Sequence, residues 1–174
     1  MRRYNKSWHL LLWVVLFALL LVLLVFASPV LAQASETALY TFEDGKEISI
    51  RYIGVFASQR EGVRLGKLWT PGGYPMLLFT AAKVSVGNSE IPAGAYSMFL
   101  IPGREEWLVV VNGNVTSGSK YDQREDVLRA RMQTGELGQE EKQLRIYFGR
   151  VGPKKCDMRL DYGRIRAWIE FEEK

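Results

Sequence analysis

Histidine is almost absent from this chain of 174 residues, since the only one is His9, near the N-terminus. A domain that follows the N-terminal segment therefore has no Ser-His-Asp or Cys-His mechanism and no zinc or copper site with a histidine ligand. It also lacks the side chain whose ordinary pKa best suits acid-base work near neutral pH. The composition thus excludes many hydrolase and metalloenzyme classes, and we predict no metal and no cofactor.

Cysteine is equally scarce, because Cys156 is the only one. No intramolecular disulfide can form, so the fold must be stabilised by a hydrophobic core, which a domain of about 140 residues is large enough to build. We interpret Cys156 as a buried structural thiol, since no histidine is nearby to act as its base.

The first 34 residues have the pattern of a cleavable signal peptide. Three basic residues precede an unbroken apolar run from Leu10 to Phe26, and Ala32-Gln33-Ala34 supplies the small-x-small pattern of a cleavage site, so we place the cut after Ala34. The strict apolar run rises only about 25 Å, less than the ~30 Å hydrocarbon core of a membrane. Export to the periplasm or the extracellular space is expected, and an uncleaved anchor at residues 10–32 is the alternative.

Removal of that leader also changes the charge of the protein. The leader holds three of the 23 basic residues and none of the 19 acidic ones, so a mature domain at 35–174 has a net charge of +1. A nucleic-acid-binding surface needs an excess of lysine and arginine, so we predict no nucleic-acid partner. Contact with a membrane is expected only through the N-terminal segment, if that segment is uncleaved.

From residue 39 onward, short runs of β-branched and aromatic residues alternate with turn formers roughly every ten residues, which is typical of an all-β sandwich or barrel. Asp44-Gly45 separates residues 40–42 from 48–52, which predicts a hairpin. No stretch predicts a long helix. We expect one antiparallel β-sandwich, jelly-roll-like, with about eight to ten strands. Further strands are predicted near residues 77–80, 83–86, 95–101, 107–111, 127–132, 144–148, 156–160 and 165–171.

Aromatic residues recur in the loops beside proline and glycine. Such rings either cap the ends of the sandwich or line a binding pocket, and the sequence leaves both interpretations open. If they form a pocket, the candidate binding residues are Lys67, Trp69, Tyr74, Tyr96, Trp107 and Tyr121. No catalytic residue is predicted.

Three of these segments resemble a bacterial family called domain of unknown function 2911. They are the strand Pro92-Ala93-Gly94-Ala95-Tyr96-Ser97-Met98-Phe99, the turn Ile101-Pro102-Gly103 with Trp107, and Tyr121-Asp122 followed by Asp126-Val127-Leu128-Arg129. The order and spacing hold from about Ile48 to Phe171. The resemblance implies an exported β-rich domain and assigns no activity.

The chain departs from the family pattern in one segment. Where family members tend to follow the tryptophan with Arg-Thr-Gly-Ala-Asn-Glu, this chain has Trp69-Thr70-Pro71-Gly72-Gly73-Tyr74-Pro75. An arginine, an asparagine and a glutamate are missing together. If those groups form a site in relatives, this protein has lost it or binds something less charged.

The leading hypothesis is a non-enzymatic binding or interaction module of the cell envelope, with a small molecule, glycan or peptide as its ligand. A carboxylate-dependent polysaccharide hydrolase is the alternative, because such an enzyme needs two carboxyl groups about 5 to 10 Å apart. A purely structural envelope protein is the third hypothesis. The carboxylates considered for hydrolysis are Glu105, Glu106, Asp122, Glu125, Asp126, Glu140 and Glu141.

Overall fold

The computed structural model describes residues 13–17, 34–59, 63–116, 118 and 120–174. Residues 13–17 are helical, and the rest of the predicted signal peptide or anchor before residue 34 lies outside this described part. The chain divides into two units, Met1–Ala32 and Gln33–Lys174. Within the described residues, no helix combines the length and apolar character that a membrane span requires.

The second unit is almost entirely β-structure, and its described residues form nine strands of one antiparallel sheet. This confirms the predicted all-β class and strand number. The order across the sheet is β1-β2-β3-β6-β7-β8-β9-β4-β5. The strands are β1 Ser35–Thr41, β2 Glu47–Ile53, β3 Met76–Thr80, β4 Val84–Val86, β5 Ser89–Ile91, β6 Gly94–Ile101, β7 Trp107–Asn112, β8 Asp126–Gly152 and β9 Lys155–Glu173. The described residues also form single-turn 3-10 helices at Ala57–Gln59, Pro71–Gly73 and Gln123–Glu125.

The predicted hairpin joins β1 to β2. The amide of Phe42 donates to Lys46 O at 2.8 Å, and the amide of Gly45 donates to Phe42 O at 3.0 Å. Gly45 has φ 86°, a left-handed conformation that glycine adopts without steric cost. The Asp44 side chain accepts the amide of Lys46 at 3.0 Å and closes the turn from the other side.

The sequence predicted four separate strands where the structure has two long ones, β8 and β9. They pair as one hairpin, with irregularities between Glu136 and Arg145 opposite Gly163, which has φ 60°. Apolar and polar residues alternate in the sequence only near the two ends of β8. The middle of this strand has few buried residues and therefore no apolar face. β5 was missed because three residues with one buried side chain, Ile91, carry no periodic signal.

The second half of β8 bonds to β2 and to the residues that follow β2, so the strands enclose one core. The amide of Leu144 donates to Val55 O at 2.8 Å, and the Tyr52 hydroxyl accepts the amide of Ile146 at 3.0 Å. The same hydroxyl donates to Glu36 at 2.7 Å, and burial raises the pKa of Tyr52 to about 12. The buried apolar side chains of the described residues lie in the second unit, so residues 34–174 carry a core of their own.

Candidate functional site

A cavity of about 490 Å³ lies on the outer face of the sheet, over β3, β6 and β7. The strands supply Leu77, Ser97, Phe99 and Asn112 as its floor. These residues alternate with core residues such as Leu78 and Met98, so they point away from the core. Ser97, Phe99 and Asn112 are nevertheless buried, because the loop after β7 covers this part of the face.

The first wall of the cavity consists of Gly73, the last residue of the turn Pro71–Gly73, together with Tyr74 and Pro75. The amide of Gly73 donates to Thr70 O at 2.9 Å, and Gly72 and Gly73 both have positive φ, which glycine allows. The turn leaves the Tyr74 side chain at the rim, 67 % exposed. This wall is the segment in which the chain departs from the family pattern described above.

The second wall is the loop after β7, and Asn112 holds it in place. The Asn112 side chain donates to Asp122 O at 2.8 Å and to the Asp126 carboxylate at 2.9 Å, and it accepts the amide of Asn114 at 3.0 Å. The Ser97 hydroxyl donates to Asn114 O at 2.6 Å. This wall presents Val115, which is 48 % exposed and also lines the cavity.

Tyr121 closes the second wall with its ring. That ring packs edge to face on Phe99, with 5.2 Å between ring centroids. Its hydroxyl donates to Asp126 at 2.7 Å and accepts from the Arg129 guanidinium at 2.7 Å. Burial, and then the bond to Asp126, raise the pKa of Tyr121, so the phenol is neutral at physiological pH. The hydroxyl is therefore engaged in holding the ring in position.

The charge in the cavity is positive. Lys120 is the one charged side chain among the described lining residues, and none of these is a carboxylate. The nearest acidic residues are neutralised by arginines: Asp122 pairs with Arg124 at 2.6 Å and Asp126 with Arg129 at 3.3 Å. The site therefore suits an uncharged or anionic ligand with an apolar body.

The structure brings together two of the six predicted binding residues, Tyr74 and Tyr121. Trp69 and Trp107 are buried in the core, and Tyr96 is buried with its hydroxyl donating to Pro92 O at 2.9 Å. Lys67 is exposed in a turn in which its amide donates to Arg64 O at 3.1 Å. Neither Lys67 nor Trp69 nor Tyr96 is part of the lining of this cavity.

Most of the floor, notably Ser97, Phe99 and Asn112, was not predicted from the sequence. One signal could have found Ser97 and Asn112, because each is a polar residue inside an otherwise apolar strand. A polar residue at an outward position that is still buried requires a covering element and hydrogen-bond partners. Here the loop after β7 supplies both.

Trp107 borders a different region, where two further cavities of about 610 and 320 Å³ share Arg164 and Ile165. Arg164 pairs there with Glu136 at 3.4 Å. Since Trp107 is almost wholly buried, it offers a ligand little more than a ring edge.

None of the carboxylates considered for hydrolysis is among the described lining residues of the cavity over β3, β6 and β7, whereas Glu140 lines the cavity of about 610 Å³. Glu105 and Glu106 directly precede the first residue of β7. Asp122 and Asp126 lie at the other end of this strand, where both accept hydrogen bonds from the Asn112 side chain. The length of β7 separates the two pairs by about 17 Å, more than the roughly 5 to 10 Å that paired catalytic carboxylates span. Glu106 is also paired with Arg131 at 3.3 Å.

The described residues contain no group of three or more histidine, cysteine, aspartate or glutamate side chains that could hold a metal ion. Cys156 is buried and unpaired with another cysteine, in agreement with the predicted structural thiol. Burial, and secondarily the charge of Asp157, raise the pKa of Cys156 to about 12. The thiol is therefore protonated at neutral pH and a poor nucleophile.

Comparison with known proteins gives a family and no activity. No curated protein and no solved structure matches the chain significantly. The model of the family described as "Protein of unknown function (DUF2911)" matches residues 34–171, which is nearly the whole β-rich unit. The chain therefore belongs to the DUF2911 family.

Proposed function

We propose that this protein is an exported binding module that takes a small ligand with an apolar body into the cavity over β3, β6 and β7. The observation that carries the proposal is the exposure of Tyr74 and Val115 on opposite walls of one cavity. Single exposed apolar side chains are common on the surface of any domain, whereas exposed apolar side chains that line one concave space are typical of a ligand site.

The construction of the site supports the same conclusion. Its second wall is fixed by hydrogen bonds from Asn112 and Ser97, and the Tyr121 ring is fixed by Asp126 and Arg129. Walls held in this way keep the cavity open before a ligand arrives, so binding requires little ordering of side chains.

The binding proposal is tested by an NMR fragment screen on the chain from Ala34 to Lys174, which contains its own core. Small cyclic and aromatic fragments should shift the amide signals of Leu77, Phe99 and Val115. Tyr74→Ala should weaken binding about tenfold, because it removes a contact of about 1.4 kcal/mol. Leu65→Ala is the matched control, since Leu65 is also an exposed apolar loop residue but does not line this cavity.

Two results would overturn the binding proposal. One is a screen in which no fragment shifts signals of the cavity residues. The other is equal weakening by Tyr74→Ala and Leu65→Ala, which would mean that the fragments bind exposed apolar side chains in general. Both variants should keep the melting temperature of the parent, because neither residue is buried.

Export is proposed from the N-terminal pattern and has its own test. Expression of the full chain in a bacterial host, followed by N-terminal sequencing of the soluble envelope fraction, should give a protein that begins at Ser35. A protein that keeps residues 1–34 and is recovered with membranes would support the anchor instead. A full-length protein in the cytosol would contradict export altogether.

A further inference from the structure

The outer face of the sheet continues beyond the cavity as an apolar shelf that reaches the edge strand β1. Leu77 lies in the cavity floor, and Phe79 is two residues further along β3 on the same face. The register places Phe79 opposite Ser49 on β2 and Ser49 opposite Leu39 on β1. Phe79 is 40 % exposed and Leu39 is 55 % exposed. We call Leu77, Phe79, Ser49 and Leu39 the shelf.

The shelf has the shape of a shallow trough. Neighbouring strands lie about 4.8 Å apart, so Phe79 and Leu39 stand about 10 Å apart across the short side chain of Ser49. The path from Leu77 over Ser49 to Leu39 is about 12 Å long. An elongated apolar group that leaves the cavity beside Leu77 can therefore lie between Phe79 and Leu39.

Charge distinguishes the two ends of this path. Lys120 lies on the loop wall of the cavity, and no carboxylate is among the described lining residues. On the shelf side the register places Arg51 next to Leu77. Two acidic residues share this face: Glu47 lies two residues beyond Ser49 on β2, away from the cavity, and Asp126, opposite Asn112, is paired with Arg129. An anionic group is thus favoured in the cavity, and an apolar chain on the shelf.

The backbone around the site argues against an extended peptide as the ligand. A peptide strand that adds to a sheet requires an unpaired edge, whereas the strands of the cavity floor, β3, β6 and β7, are each paired on both sides, and the unpaired edge of β1 lies at the outer limit of the shelf. The apolar side chains of the cavity and the shelf include three aliphatic ones, the exposed Leu39 and Val115 and the half-buried Leu77, beside the exposed rings of Tyr74 and Phe79. Aliphatic side chains suit an alkyl chain better than a sugar ring.

We propose that the cavity and the shelf together bind a single-chain anionic amphiphile, with its carboxylate near Lys120 and its alkyl chain over Leu77 towards Phe79 and Leu39. The proposal rests on the proposed function, since it names the ligand class of the same cavity. Each methylene that moves from water onto the shelf should raise the affinity up to about fourfold.

The test is a calorimetric titration of residues 34–174 with hexanoate, octanoate, decanoate and dodecanoate, each below the concentration at which it forms micelles. Affinity should rise along the series. The paired substitution Leu39→Ser with Phe79→Ser should abolish the increase for the longer chains and leave hexanoate binding unchanged. Leu65→Ser should alter neither. Lys120→Gln should reduce the preference for decanoate over decanol about tenfold.

The outcomes separate this inference from the proposed function. If fragments and hexanoate bind but affinity does not grow with chain length, the amphiphile is wrong and the binding module stands. Binding only to phosphatidylglycerol vesicles, with no monomer bound, would also overturn it, because a bilayer surface would then be the partner. If nothing binds in the cavity, the proposed function itself fails.

Discussion

The indole ring of Trp69 meets that of Trp107 edge to face, with 5.9 Å between the ring centroids. Trp69 also packs against Tyr162, at 5.1 Å between centroids, and its backbone is bonded to Leu100 in both directions. These two tryptophans were candidate binding residues, yet they sit in the core. Their substitution should therefore report on stability, whereas substitution of Tyr74 should report on binding.

Trp69→Ala should lower the free energy of unfolding by about 3 to 5 kcal/mol, because it removes a large buried ring and leaves a cavity among well-packed neighbours. Urea denaturation of residues 34–174, followed by far-ultraviolet circular dichroism, measures this loss. Tyr74→Ala serves as the comparison and should change the same quantity by no more than about 0.5 kcal/mol. A loss below 1 kcal/mol in Trp69→Ala would contradict the placement of Trp69 in the core.

Asp126→Ala should cost about 2 to 3 kcal/mol of unfolding free energy, because it leaves the Asn112 amide and the Tyr121 hydroxyl without the carboxylate that accepts their hydrogen bonds. The control is Glu106→Ala, whose pair with Arg131 is exposed and should be worth less than about 1 kcal/mol. Denaturant midpoints of the two variants give the difference. Equal midpoints would mean that Asp126 does not organise the cavity wall.

Gly103→Ala should be strongly destabilising although Gly103 has no positive φ. A Cβ at this position would lie 2.0 Å from the backbone oxygen of Glu106, so the turn between β6 and β7 would have to move. We expect a loss of about 1 to 3 kcal/mol, the usual cost of overpacking. Gly138→Ala is the matched change, since its Cβ would meet nothing within 4 Å. Melting temperatures compare the two, and similar values would refute the close contact.

Stability should fall as the pH rises above about 9. The Cys156 thiol ionises at its ordinary pKa of 9.0 in the unfolded chain, whereas burial raises its folded pKa to about 12. At a pH between these two pKa values the thiol is protonated in the folded state and ionised in the unfolded state. Rising pH therefore favours unfolding. Tyr52 contributes in the same direction, because burial raises its pKa from 10.0 to about 12 in the folded state.

Urea denaturation at pH 8 and at pH 10 measures this dependence, and Cys156→Ala should make the fall smaller. The folded thiol should also resist a disulfide reagent at pH 8 and react fully in urea. Rapid labelling of the folded protein would show that Cys156 is accessible, and the explanation of the pH dependence would then fail.

Much of the fold could be predicted because strand signals are local. The apolar side chains of Ile48, Ile50 and Tyr52 alternate with polar neighbours, and that period of two places them on one face whatever the partner strand is. The Asp44-Gly45 turn is likewise set by backbone conformations of a few residues. The continuous β8 was not predictable, because its middle section has no apolar face and is held by pairing with the distant β9.

The sequence by itself determined the all-β class, the first hairpin, the absence of histidine chemistry in the domain and the presence of aromatic loops. Only the tertiary structure decided what each ring does. Trp69 and Tyr74 are five residues apart in one loop, yet their exposed fractions are 2 % and 67 %. Loop side chains have no period to fix their direction. Backbone bonds to Leu100 on β6 hold Trp69 over the core, whereas the glycine turn before Tyr74 leaves that ring at the cavity rim.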